Sequence, residues 1–270
     1  MRAQGRGIGS VLLAFAAPDP SATDTVLGQL LANVPPVSAG FEQDGFCPPG
    51  MASIDGLYCI DRFEASLVEI LPNGAEQRFA PFAFAGHHGV RAVSEPDVFP
   101  QAFISATMAE EACAHSRKRL CKPTEWRKAC MGRSNATYSY GNDNEPKRCN
   151  DSGKSPLTAI YGNEVVTSSP EKMNDPALGQ IPGSVAKAGA FSGCVNDYGV
   201  HDMVGNLHEW VDDSEGTFLG GYYLDTHING EGCRYSTVAH AAFYHDYSTG
   251  FRCCADRQFE AEELVELEAD

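Results

Sequence analysis

The fold of this chain is decided by Tyr198-Gly-Val-His-Asp202-Met-Val-Gly205-Asn206-Leu-His-Glu209-Trp210. Two carboxylates, Asp202 and Glu209, bracket a Gly-Asn pair suited to tight backbone turns. Such turns expose carbonyl oxygens, and hard oxygen ligands at short range favour calcium. The plain alternative is a loop whose carboxylates make Asx turns. Trp210, which ends the stretch, and Trp126 upstream are read as core residues.

Moving outward, five further segments stand at ordered distances. They are Tyr58-Cys-Ile-Asp-Arg-Phe-Glu64, Arg119-Leu-Cys-Lys-Pro-Thr-Glu-Trp126, Tyr140-Gly141, Gly220-Gly221 and Gly250-Phe-Arg-Cys253. Between them the chain predicts a strand over 56–68, where aromatic and β-branched residues mix. A helix is predicted over 107–117, with Thr107 and Glu110 as a capping box. A second helix is predicted over 124–131, entered at Pro123. Residues 138–200 are rich in Asn, Asp, Gly, Pro and Ser, an irregular stretch so long that something must hold it. Disulfides and calcium are the two candidates. Short strands are expected at 217–224 and 250–255. The class is α+β with much irregular structure.

Composition narrows the partners and the compartment. The 270 residues carry a net charge of −16 and are 43% hydrophobic, a globular composition whose charge argues against nucleic acid or an anionic membrane. Ten cysteines are scattered between Cys47 and Cys254 without a CxxC pair. An even number points to a closed disulfide framework and an oxidising compartment, the alternative being a reduced intracellular protein. Export needs a leader, and Arg2 and Arg6 followed by the apolar run Val11 to Ala17 read as a short signal peptide. That run is too short to span a bilayer. Residues 1–45 are therefore expected to be leader and linker, and 46–256 one domain. Residues 257–270 form an acidic tail.

The ordered segments resemble the formylglycine-generating-enzyme family, the sulfatase-modifying factor domain, over residues 47–256. The resemblance implies a variant of the C-type-lectin-like fold. It implies calcium on the carboxylates of Asp202 and Glu209 and on the backbone oxygens of Gly205 and Leu207. A second calcium site would begin at Asn150 and Asp151. It also implies the disulfides Cys113–Cys253 and Cys130–Cys233. The remaining pairings are inferred beside it: Cys47–Cys59, Cys149–Cys194 and Cys121–Cys254. Exchange of partners among Cys113, Cys121, Cys253 and Cys254 stays open.

One departure matters for function. The family oxidises a substrate cysteine with oxygen and copper(I), and the soft metal needs a thiolate pair. The two positions are Asp225 and Gly230 here, so that activity is not expected. Two readings follow. The first is a secreted, calcium-stabilised recognition module that binds a protein, peptide or glycan through the tyrosine-rich loops 222–249. The second is a divergent oxidoreductase holding copper or iron on Asp225, His227, His240 and His245.

Overall fold

The computed structural model describes residues 47–86, 88–162 and 169–257. The expected leader and linker at 1–45, and the acidic tail beyond Arg257, lie outside the described residues. Strands β1 (Met51–Ile54) and β2 (Tyr58–Asp61) form a hairpin whose turn residues Asp55 and Gly56 both have positive φ, 51° and 69°. That geometry matches the right-handed strand twist. Next come β3 (Ala65–Ile70), β4 (Glu76–Arg78) and β5 (Val90–Ser94), a sheet of order β4-β3-β5. Helix α1 (Ala106–His115), β6 (Arg119–Leu120) and helix α2 (Pro123–Met131) follow.

The irregular middle of the chain contains the short helices α3 (Pro156–Tyr161) and α4 (Pro170–Met173), then a 3-10 turn at Pro176–Gln180. The third sheet comprises β7 (His208–Trp210), β8 (Phe218–Leu219), β9 (Ser236–Thr237) and β10 (Thr249–Phe251), in the order β10-β7-β8-β9. Its β10–β7 pair is parallel. Finally β11 (Cys253–Asp256) returns between β2 and β6, completing the order β1-β2-β11-β6. No helix among the described residues is long and apolar enough to cross a membrane.

Three of the predicted elements differ, and the strand expected over 217–224 shrinks to β8, Phe218–Leu219, because the chain turns at Gly220 and Gly221, with φ 83° and 71°. The strand over 56–68 is broken at Arg62–Glu64, because Arg62 leaves the sheet to donate to the carbonyl of Tyr198 at 3.0 Å, and the buried Glu64 accepts from the amide of Leu207 at 3.1 Å. The cap of α1 is Ser105, whose hydroxyl accepts from the amide of Met108 at 3.3 Å. Thr107 instead donates to the carbonyl of Ala242 at 3.3 Å, so its hydroxyl ties the helix to a distant loop. A capping contact does form at α2, where the Glu125 carboxylate accepts from the amide of Lys122 at 2.9 Å.

Among the described residues, three large apolar clusters and a small fourth around Met51, Cys59 and Ala255 hold the elements together. One surrounds Trp126 with Ile54, Ile60 and Val204. A second surrounds Trp210 with Leu67, Ile104 and Phe251. The third joins Phe103, Leu178, Leu207 and Tyr223. Each fully buried Leu, Ile or Phe here contributes about 1.5–3 kcal/mol. Five disulfides cross-link this frame: Cys47–Cys59, Cys113–Cys253, Cys121–Cys254, Cys130–Cys233 and Cys149–Cys194. The last of these closes the irregular middle of the chain.

Candidate functional site

The Gly-Asn-Leu-His-Glu-Trp loop is built around a buried polar hub. Gly205 has φ +82°, and a Cβ there would lie 2.3 Å from the carbonyl oxygen of Asn150, so only glycine admits the close approach. Asn206, with φ +57°, is bonded through both ends of its side chain. Its Oδ1 accepts from Asn150 Nδ2 at 2.9 Å and from the amide of Ala186 at 2.8 Å; its Nδ2 donates to Glu64. Asn150 also donates to the carbonyl of Ser184 at 2.9 Å. Its side-chain amide is thus a strut between loops.

Beneath the hub, three buried carboxylates face one buried guanidinium. Glu209 accepts from Arg252 Nε at 2.6 Å, from Arg252 Nη2 at 2.7 Å, and from the indole of Trp126 at 2.6 Å. Arg252 reaches further, to the carbonyls of Asp61 at 3.0 Å and His201 at 2.9 Å. Asp202 accepts from the amide of Gly189 at 2.6 Å. Burial pushes its carboxyl up to about 6, against the pull of that amide and of Arg252. Burial, reinforced by Asp202 and Glu209, also holds Glu64 well above the usual carboxylate range.

These contacts decide how each residue suits a calcium ion. Asp202 is a buried carboxylate in the same loop as Gly205 and Leu207, and it fits a hard cation. Glu209 does not fit in this arrangement, since a guanidinium fork and an indole already occupy its oxygens. Asp151 is nearly buried, which raises its carboxyl. Among the described residues no group of three or more His, Cys, Asp or Glu side chains is placed to hold a metal.

The 222–249 region does not bring the second candidate cluster together. The Asp225 carboxylate caps its own turn, accepting from the amides of His227 at 2.9 Å and Ile228 at 3.1 Å. His227 pairs with Glu231 at 2.8 Å and with Asn144 at 3.0 Å. His240 packs against Phe218 and Tyr244, with ring centroids 4.6 Å away in each case. His245 bonds Asn174 at 2.6 Å and stacks on Phe84 at 4.2 Å. Gly230 has φ +116°, and a Cβ there would fall 2.6 Å from the carbonyl oxygen of Arg234.

Sequence reasoning missed the roles of Glu64, Asn206 and Arg252. All three lie inside quoted segments, but their partners are distant in the chain, and no local spacing reveals them. It also missed the exposed apolar residues. Phe243 is 78% exposed, Phe84 50% and Val238 49%. Beside Phe243 runs a groove of about 400 Å³ lined by Pro170, Met173, Asn174, Phe243, Tyr244 and His245.

Comparison with known proteins gives one family. The sulfatase-modifying factor enzyme 1-like domain matches residues 83–257. No curated protein matches the chain. Among solved structures, the Major Tropism Determinant I1 variant is similar at 14% identity with a TM-score of 0.47, covering 79% of this chain and 54% of that one. This chain therefore spans about half the length of that protein. CarF is similar at 16% identity with a TM-score of 0.41, covering 74% and 86%. Treponema denticola variable protein 1 is similar at 13% identity with a TM-score of 0.32, covering 73% and 63%.

Proposed function

The chain belongs to the sulfatase-modifying factor enzyme 1-like domain family, and from that premise we propose that it is a recognition module without cysteine-oxidising activity, exported to an oxidising compartment. The observation that carries this reading is the state of the thiols. All ten cysteines are joined in five disulfides and none is free, so no thiolate pair exists to hold copper(I). The backbone at Gly230 reinforces the point, because a side chain at the second family cysteine position would collide with the carbonyl of Arg234. Five disulfides support an oxidising compartment. The oxidoreductase alternative lacks comparable support, since Asp225, His227, His240 and His245 do not share a centre.

What recommends recognition is the surface of loops 222–249, where exposed Ile228, Val238 and Phe243 stand on a frame of sheet and disulfides. Isolated exposed apolar residues are ordinary, but Phe243 walls a groove together with Pro170 and Met173, and an apolar groove marks an interaction site. The test has two arms. Incubation of the oxidised protein with a cysteine-bearing sulfatase peptide, copper and oxygen is expected to give no aldehyde and no oxygen uptake. Panning against peptide and glycan libraries is expected to return ligands whose capture falls when Phe243→Ser is introduced. Aldehyde formation would overturn the first half, and ligand capture indifferent to residue 243 the second.

Calcium belongs to the same proposal through Asp202, with the backbone oxygens of Gly205 and Leu207 as the further ligands that the family resemblance implies. With Glu64 held neutral by burial, Asp202 and Glu209 against one guanidinium still leave a negative charge that a divalent cation would offset. A calcium-dependent rise in melting temperature is its measure.

A further inference from the structure

The groove beside Phe243 continues into an ordered strip, residues 238–243, with the sequence Val-Ala-His-Ala-Ala-Phe. Val238, Ala239, Ala241, Ala242 and Phe243 are all exposed. The strip is nonetheless fixed at both ends. Ala239 donates to the carbonyl of Glu215 at 2.9 Å and His240 to that of Gly216 at 3.2 Å. At the far end the carbonyl of Ala242 accepts from the amide of Thr107 at 3.1 Å and from its hydroxyl at 3.3 Å. An apolar surface held this way loses little conformational entropy on binding.

Several polar atoms of the groove are already engaged. His245 Nδ1 lies 2.6 Å from Asn174 Oδ1, and the Tyr244 hydroxyl donates to Asp246 at 2.6 Å. Sugar hydroxyls would find few open partners there, whereas an apolar side chain fits between Pro170, Met173 and Phe243.

The charged residues around the strip are mostly acidic. Glu110 and Glu111 stand one turn along α1 from Thr107, on the same face. Asp212 and Glu215 lie at the start of the loop that holds Ala239, and Glu171 adjoins Pro170. All five are exposed, and none forms an ion pair among the described residues. The nearby cation Lys172 sits over the Tyr161 ring, 5.2 Å from its centroid. From Asp212 to Thr249 the chain carries six carboxylates (Asp212, Asp213, Glu215, Asp225, Glu231, Asp246) and one guanidinium (Arg234).

We propose that this groove and strip receive a cationic peptide segment of a partner protein, with an apolar side chain seated beside Phe243 and basic residues over the acidic rim. The proposal rests on the recognition reading and specifies its partner. Aromatic anchors in pockets carry binding energy, and complementary charge steers the encounter.

Fluorescence anisotropy on the full, oxidised chain tests it, with a labelled peptide of alternating Lys and Leu and its Glu/Leu counterpart as probes. The Lys/Leu peptide is expected to bind, and to weaken about tenfold or more as salt rises from about 50 to about 500 mM. Phe243→Ser keeps every charge and is expected to weaken it by about tenfold, with the melting temperature unchanged. The pair Glu110→Lys and Glu215→Lys is expected to weaken it and flatten the salt dependence. Equal binding of the Glu/Leu peptide, or indifference to Phe243→Ser, would overturn the proposal. If library-selected neutral peptides, acidic peptides or glycans depend on Phe243 while the Lys/Leu peptide does not bind, the partner chemistry falls and the recognition reading stands. If no ligand depends on Phe243, both fall.

Discussion

Arg252 and His208 show how single residues carry the strain of this interior. Arg252 is wholly buried, and its fork on Glu209 leaves Glu64 and Asp202 without a full counter-charge. His208 is buried between Phe218 at 4.5 Å and Tyr222 at 4.6 Å, and neither ring nitrogen has a partner among the described residues. Burial pushes its imidazole down to about 3. A histidine held neutral in the fold and free to protonate when unfolded stabilises fully above the unfolded value of about 6.5, and that stability is lost as pH falls toward the folded value. Between pH 7.5 and 5.5 the loss is about 1.4 kcal/mol. Asp202 and Glu64 act in the opposite sense, since raised carboxyls favour the fold as pH falls. The comparison that isolates His208 is therefore the difference in pH slope between wild type and His208→Phe. The variant is expected to lose less of its melting temperature on acidification, by about 3–6 °C over that interval. Equal slopes would mean the imidazole is not held neutral.

At the scale of elements, the loops are positioned by a few backbone bonds and by glycines that tolerate crowding. Gly216 has φ +66°, and a Cβ there would lie 1.7 Å from the carbonyl oxygen of His240. The 238–243 strip keeps its place only while residue 216 has no side chain. Gly216→Ala is expected to displace the strip and to lower capture of any ligand that uses Phe243. Gly56→Ala is the control. Its φ is similar, +69°, but its Cβ would meet nothing within 4 Å, so it incurs only the backbone cost of about 1 kcal/mol. Capture measured on the two variants separates loop displacement from general destabilisation; equal capture would show that the strip does not depend on residue 216. Helix caps were harder to read at this scale. Thr107 and Glu110 have the spacing of a capping box, but Ser105 fits the β-region backbone that a cap requires, with φ −89° and ψ 163°. The hydroxyl of Thr107 had a tertiary partner, Ala242, that no local pattern announces.

At the scale of the whole molecule, the apolar clusters of the described residues and five disulfides support loops with little regular structure, and charge is the quantity left unbalanced. If calcium binds beside Asp202, it stabilises by mass action, by about 2.7 kcal/mol at a hundredfold excess over its dissociation constant. Calorimetry at pH 7.5 is expected to show a higher melting temperature with calcium, reversed by chelation and absent in Asp202→Ala; no response in the wild type would remove calcium from the proposal. The sequence by itself determined the family, through segments whose order and residue types are local properties. It determined the loop-rich α+β class, through composition and turn residues. The even cysteine count pointed to a closed framework, since unpaired thiols are disfavoured in an oxidising compartment. Which of two neighbouring cysteines met which partner was decided only in three dimensions. Successive residues of a strand point to opposite faces, so β11 sends Cys253 to Cys113 in the core around Trp210 and Cys254 to Cys121 in the core around Trp126. The buried Glu64, Asp202, Glu209 and Arg252 group was likewise a tertiary product, assembled from three segments, with Glu64 and Arg252 standing 188 positions apart (252 − 64). Charge pairing acts through space, and chain spacing does not record it.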